Sequence, residues 1–429
     1  MPNPTALAWS AIANKLEIHQ KLTSGVAFVE VTAQQIKDIS GREPRLMTKF
    51  DTRESRPSAL RGITILPLSN GIYALLQGDG YVDVQATPRV RRWPVSAKAR
   101  KCVTLPWDQG PASESQALDM ALATGLLEDF LEDEVQLTIR GRLRSPSFNF
   151  AFEGGHGSVN LTANGVQIEV DAGLEGKCIH LIEAKLGART NFHNRQLYYP
   201  YRMWQTLVPE KAVSTVFLAY SNRCFSLRRY DATGEGANSY HGLVATKAVD
   251  YHFDEPTPMP TLETLLAETT ERSITAESPF PQANEIRRVI DIVDSVAAGL
   301  SSRVEIASRY DLDDRQADYY ANAATFLGLL ARRNNGFQLT EQGEQFSKLR
   351  RTERIIWVMR EIAARKVFRQ VLEITSLTGK LPSRDRVAEL ICLQSELSGK
   401  TPNRRAGTVL AWVRWILENT RSQLSMQFE

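Results

Sequence analysis

Two neighbouring apolar runs constrain this chain more than any other feature. In Val166-Gln-Ile-Glu-Val-Asp171, Val166, Ile168 and Val170 share one face and Gln167, Glu169 and Asp171 the other; in Ile179-His-Leu-Ile-Glu-Ala-Lys185, Leu181, Glu183 and Lys185 share a side. Gly173 and Gly176 are expected to supply the turn between two adjacent strands. The pairing brings Asp171, Glu183 and Lys185 together at the ends of otherwise apolar strands. Charges are poor choices for a buried sheet unless they hold a cation or do chemistry.

A chain of 429 residues is too long for one ordinary domain. With 42% hydrophobic and 24% charged residues it has the composition of a soluble globular protein. No apolar run reaches the ~18 residues of a membrane helix, and Met-Pro-Asn-Pro-Thr lacks the basic and apolar regions of a signal peptide, so a cytoplasmic location and no membrane partner are expected. The four cysteines, Cys102, Cys178, Cys224 and Cys392, are far apart and form no C-x-x-C pair; reduced, buried thiols are expected in place of disulfides or structural zinc. The formal net charge of +3 is too small to require a polyanionic partner. Its distribution is more informative, because Arg89 to Lys101 holds six bases and no acid, and the stretch from Arg350 to Arg421 is also basic.

The periodicity predicts a helix from Ala6 to Leu22, a strand from Val26 to Val31, and a helix from Ala33 to Ile39 with Thr32 as its N-cap. Two strands, Ile63 to Leu68 and Gly71 to Gln77, are joined at Asn70-Gly71. This part reads as an N-terminal mixed α/β domain, residues 1–110. A helix over 114–134 then precedes strands at 137–143, 147–152, 158–161, 166–171 and 179–185; a helix over 191–207 carries Pro200, which should kink it or end its first half; three more strands follow at 215–220, 224–230 and 242–248. These elements form a central mixed β-sheet domain over 111–260. The proline-rich segment Asp254 to Pro260 and a second connector, Thr275 to Pro281, define a linker over 261–284, and residues 285–429 are largely helical. The fold class is therefore α+β to α/β and multidomain.

Hydrolysis of a phosphodiester needs an activated water, shielding of the phosphate charge and stabilisation of the departing oxygen. Mg²⁺ held by hard oxygen ligands serves all three. Asp171 and Glu183 are the carboxylate ligands of choice, the Ala184 carbonyl between Glu183 and Lys185 is a third donor, and Lys185 suits orientation of water and neutralisation of developing charge. Asp171, eleven intervening residues and Glu183-Ala-Lys185 resemble the PD-(D/E)XK nuclease motif. The order that follows, Asn191-Phe-His-Asn-Arg-Gln to Arg202 and then Val216-Phe-Leu-Ala-Tyr220, is similar to type II restriction endonucleases of that superfamily, and the segment Pro44 to Arg53 with Ile65 to Tyr73 resembles the leading domain of some of them. The resemblance spans about residues 25 to 250. Val170, in place of proline, precedes the first acid, so Asp171 is preferred over Glu169 on spacing and face alone. In the family the next helix often leans across the site, which makes Gln196, with Arg195 or His193 nearby, a further catalytic candidate. What the resemblance implies is Mg²⁺-dependent cleavage of double-stranded DNA at a specific sequence, a homodimer to cut both strands, and a cognate methyltransferase as a separate protein.

Other chemistry finds no support. Gly399-Lys-Thr401 ends like a P-loop, but Gln394 stands where its first glycine belongs and no strand precedes it; there is no Asx-Pro-Pro-aromatic sequence and no H-E-x-x-H. Residues 303–340 read as helix, turn, helix and two-stranded wing, the order of a winged helix-turn-helix, with Arg315, Gln316 and Tyr319 on the second helix and Arg332 and Arg333 on the wing as candidate DNA contacts. Arg404, Arg405 and Thr408 at a later helix start, and Arg53, Arg56, Arg91 and Arg92 with the Arg89–Lys101 run, are alternative readers. Two other functions share these features, a repair or junction-resolving nuclease of the same fold and a winged-helix regulator with an inactive central domain.

Overall fold

The structure is a computed structural model that describes residues 4–86, 89–232, 234–254, 257–272, 280–334, 336–395, 397 and 399–420. The first helix expected from periodicity is two, Pro4–Lys15 (α1) and Ile18–Thr23 (α2), because Glu17 between them adopts a left-handed φ of +54°. Strand Val29–Thr32 (β1) leads into Ala33–Ser40 (α3), and Thr32 caps it as expected: its hydroxyl accepts from the Gln35 N–H at 3.1 Å while the Gln35 side chain accepts from the Thr32 N–H at 2.8 Å. After one turn of helix, Pro44–Met47 (α4), strands Ile63–Ser69 (β2) and Ile72–Gln77 (β3) form the hairpin signalled by Asn70-Gly71, with Gly71 at φ +79°. The sheet order is β1-β3-β2, all antiparallel.

Next come Tyr81–Asp83 (β4), Val90–Arg92 (β5), and the helices Glu114–Ala123 (α5) and Leu126–Leu131 (α6), which Gly125 separates where a single helix is expected. Then follow Gln136–Arg144 (β6), Phe148–Gly154 (β7), Gly157–Ala163 (β8), Gln167–Glu175 (β9), Ile179–Leu186 (β10), Asn191–His193 (β11), helix Arg195–Leu207 (α7), Val213–Ser221 (β12), Cys224–Ala232 (β13) and Leu243–His252 (β14). A seven-stranded mixed sheet runs β5-β14-β13-β12-β10-β9-β6, with β10 parallel to β12 and β9 antiparallel to both its neighbours. Gly173 is not in the turn but inside β9, opposite Ile139, where any side chain would collide; the turn is at Gly176, whose N–H donates to the Cys178 carbonyl. Pro200 does not end α7, since Leu197 to Met203 are all buried and that packing outweighs one lost backbone bond.

The β2–β3 hairpin is apolar on both faces. Ile63, Ile65 and Leu75 pack with Trp9, Ile12 and Ile36, whereas Leu66, Ala74 and Leu76 pack with Phe148, Phe152 and Tyr198 of the central core. β5 is an edge strand of the central sheet, and β4 pairs with β11. Residues 1–107, 111–220 and 225–251 accordingly form one compact unit, although separate domains over 1–110 and 111–260 are expected from the sequence.

The second unit has its own core around Val289, Ile306, Phe326, Val358, Phe368 and Trp412. Its helices are Leu262–Glu268 (α8), Ile286–Ala297 (α9), Arg303–Tyr310 (α10), Asp314–Phe326 (α11), Glu341–Lys348 (α12), Arg351–Ala363 (α13), Lys366–Thr378 (α14), Arg384–Gln394 (α15) and Thr401–Asn419 (α16), with strands Leu330–Arg333 (β15) and Gly336–Leu339 (β16) paired antiparallel between α11 and α12. The expected linker contains α8, whose Leu262 and Leu265 are buried in this core; most of the Thr275 to Pro281 connector lies outside the described residues. All four cysteines are free, but Cys224 alone is buried; Cys102 and Cys392 are exposed. Among the described residues no helix is long and apolar enough to cross a membrane.

Candidate active site

β9 and β10 begin as a regular antiparallel ladder at Glu175–Ile179 and stop pairing after Ala172–Ile182. Beyond that point the Asp171 side chain replaces a strand partner: its Oδ2 accepts from the Ala184 N–H at 2.8 Å. The other side of β10 is taken by β12, through odd-numbered residues such as Ile179 and Gly187, which bond Ala212 and Tyr220. Alternation therefore turns the backbone of Ala184, carbonyl included, toward the gap beside β9. Asp171, Glu183, Lys185 and Gln196 line one cleft there of about 390 Å³.

Lys185 Nζ lies 2.7 Å from Glu183 Oε1, the same oxygen to which Gln196 Nε2 donates at 2.6 Å. Glu183 and Lys185 are both buried. Burial pushes the Glu183 carboxyl up, to about 8; Lys185 pulls it down, and Asp171 and Asp51 push it further up. Burial works against the Lys185 ammonium, but Glu183, Asp51, Glu114 and Asp171 outweigh it and hold Lys185 well above the ordinary lysine range. Burial also raises Asp171, against the pull of Lys185 and of the Ala184 N–H. Glu169, the alternative first acid, is exposed and paired with Arg142 at 3.3 Å.

The donor set suits a hard divalent cation: the carboxylates of Asp171 and Glu183 and the carbonyl of Ala184. Burial raises the Glu183 carboxyl to about 8 even with the Lys185 ammonium beside it, so a divalent cation bound there would displace a proton. Among the described residues no group of three or more His, Cys, Asp or Glu side chains is arranged to hold a metal ion.

Sequence reading missed Asp51 and Lys49, which line the same cleft, together with Arg45, Glu114 and Arg142. The reason is a strap built by tertiary contacts. The Asp51 carbonyl accepts from the His193 N–H at 2.9 Å, the Arg53 N–H donates to Asn191 Oδ1 at 2.8 Å, and the Tyr81 hydroxyl donates to the Phe50 carbonyl at 2.9 Å. These bonds tie residues 50–53 to β11 and β4 and turn Asp51 inward. The only local hint was a charged residue, Asp51, following Phe50 in a segment rich in Arg and Pro.

His193 is not a site residue. Its ring packs on Tyr81 at 4.8 Å, its Nδ1 meets the Tyr240 hydroxyl at 3.0 Å, and burial with the nearby Arg195 pushes it down to about 3, so it is neutral. Arg195, in contrast, lines the cleft. The other sequence candidates are elsewhere, and several are already engaged. Arg53 pairs with Asp79 at 2.8 Å and with Asp83; Arg56 lies over the Tyr81 ring; Arg91 pairs with Asp129 at 2.6 Å and lies over Trp93 and Tyr251. Arg92 is exposed at the sheet edge.

In the second unit Arg315 donates to the Tyr319 hydroxyl, the Gln316 side chain completes the capping box of Asp313, and Arg332 pairs with Asp318, which turns four expected DNA contacts, Arg315, Gln316, Tyr319 and Arg332, to local partners. Arg333 and Arg404 are exposed and Arg405 is half-buried. Thr408 is not on an exposed turn; it is buried and donates to Asn284 Oδ1 at 2.8 Å.

Three family models match the chain, each described as a domain of unknown function: DUF6996 over residues 6–75, DUF6997 over 77–252 and DUF7226 over 288–421. No curated protein and no solved structure matches it.

Proposed function

We propose that the chain is a Mg²⁺-dependent endonuclease of the PD-(D/E)XK type that cuts double-stranded DNA, with the character of a type II restriction enzyme. The observation that carries the reading is the convergence of Asp171, Glu183 and Lys185 where β9 and β10 part, in a cleft also lined by the cationic side chains of Arg45, Lys49, Arg142 and Arg195. A divalent cation held by Asp171, Glu183 and the Ala184 carbonyl would supply Lewis acidity toward a phosphate oxygen and toward water. The protein's own groups have separate tasks. Lys185 holds a positive charge where negative charge develops, and Gln196 fixes the rotamer of Glu183 through the shared Oε1. Arg195 and Lys49 suit the flanking phosphates, whose charge is the main source of affinity for a duplex.

Cutting both strands needs two such sites, hence a homodimer or a pair formed on DNA, and a restriction enzyme needs a separate methyltransferase to protect the host. The test is incubation with plasmid DNA and Mg²⁺. Discrete bands support a sequence-specific enzyme, smearing or branch-dependent cutting indicates a repair or junction nuclease, and the absence of Mg²⁺-dependent hydrolysis sinks both and leaves the DNA-binding regulator. Asp171→Ala, Glu183→Ala and Lys185→Ala are each expected to lower cleavage on the order of a thousandfold or more while DNA binding survives.

A further inference from the structure

A second cavity, of about 540 Å³, is lined by residues of β7, β8 and α7 and by Asn238, and shares no lining residue with the cleft where β9 and β10 part. Arg202 of α7 lines it and is only 8% exposed. Its Nη1 donates to the Ala237 carbonyl at 2.8 Å and to Asn238 Oδ1, and its guanidinium lies 5.9 Å from the centre of the Phe148 ring. These partners are all neutral, and so is the neighbouring Tyr198, whose hydroxyl burial raises above the ordinary tyrosine range. Among the described residues no carboxylate pairs with Arg202, and its buried Nε–H has no hydrogen-bond partner. A guanidinium taken out of water is normally matched by an anion, because neutral acceptors alone do not return the hydration it has lost.

The rest of the lining identifies the anion. Asn149 Oδ1 accepts from the Thr162 hydroxyl at 2.8 Å and Asn238 Oδ1 accepts from Arg202, so both amides have their oxygens engaged and their NH2 groups left to donate. Ser147 and Asn160 add further polar groups, and among the described residues no Asp or Glu lines the cavity. One cation, two amides fixed as donors and no acid select a ligand rich in acceptor oxygens. We propose that this cavity is a binding site for a phosphate monoester, held by Arg202, Asn149 and Asn238. A phosphate presents three strong acceptor oxygens, one for each of these donors, where a carboxylate presents two. The cavity has the size of a small-molecule site, which leaves room beside the phosphate for an organic group over Phe148 and Phe150.

Calorimetric titration of the full-length chain in EDTA tests this, with inorganic phosphate, dAMP and glucose 6-phosphate as the probes. At least one of the two esters is expected to bind with a dissociation constant of about 1 mM or tighter, and the preference between them separates a nucleotide from a sugar phosphate. Asn149→Asp keeps the bond from Thr162, and Asn238→Asp gives Arg202 a counter-ion, so both variants are expected to fold with the circular dichroism and thermal midpoint of the wild type. Each places a negative charge in the cavity and is expected to weaken binding about tenfold or more. Asn160→Asp, on the exposed face of β8, carries the same charge if either fails to fold. Binding that these variants leave intact, or no binding of any probe, overturns the proposal and leaves Arg202 as a tie between α7 and Asn238. Binding of inorganic phosphate alone overturns the monoester. None of these results bears on the reading of the cleft, which shares no residue with this cavity.

Discussion

Glu183 is the residue whose chemistry is set most completely by its surroundings. Its carboxyl is held at about 8 by burial and by neighbouring carboxylates, above its value in the unfolded chain. The folded protein therefore binds a proton that the unfolded one releases. That contribution to stability is complete below the ordinary carboxylate range and is lost as pH rises toward 8. In EDTA the thermal midpoint is expected to fall between about pH 5 and about pH 8, and Glu183→Gln to flatten the fall. A cation substitutes for the proton, so Mg²⁺ should raise the midpoint more at about pH 8 than at about pH 6. Scanning fluorimetry across that range checks both expectations; an equal Mg²⁺ effect at the two pH values counts against cation binding at Glu183. The residue types and spacing of Asp171, Glu183 and Lys185 were legible in the sequence because strand alternation assigns faces locally. Asp51 was not, because its placement depends on the bonds of Asp51 to His193 and of Arg53 to Asn191, each more than a hundred residues away.

At the scale of elements, the crossing of β6 and β9 decides where β9 carries Asp171. Two register irregularities in β6 flank Ile139, and Gly173 faces them; a Cβ on Gly173 would sit 2.6 Å from Ile139 Cβ. Gly173→Val is expected to destabilise the protein by about 1–3 kcal/mol and to disturb the site through β9, seen as a lower thermal midpoint and weaker cation binding. A midpoint equal to that of the wild type would show that the strands tolerate the side chain. The error in reading Gly173 as a turn residue has the same origin: a glycine required by a close approach of strands and a glycine required by a turn look alike in sequence. Pro200 gives the complementary case. Its local signal against helix is strong, but a segment of α7 with seven successive buried residues has enough packing to override it.

For the whole molecule, the boundary between residues 6–75 and 77–252 is a boundary of the matched domains but not of the folded unit. A fragment spanning 77–252 would lose Leu66, Ala74 and Leu76 from the central core and leave Phe148 and Phe152 without their cover. It is expected to show no cooperative thermal transition and rapid proteolysis, whereas residues 1–252 should give both a transition and resistance. A cooperative transition in the shorter fragment would show that the N-terminal residues are dispensable for the core.

The sequence by itself determined the local features: the capping box at Thr32, the hairpin at Asn70-Gly71, the faces of β9 and β10, and hence the identity of the acids and the lysine at their ends. These follow from interactions between residues a few positions apart. Tertiary structure alone decided that the hairpin is buried on both sides, that β9 and β10 part at Asp171, that several arginines are consumed by carboxylates or rings, and that Asp51 enters the cleft. Each of these depends on which distant segments share a boundary, and burial and charge pairing are properties of that boundary, not of the chain read in order.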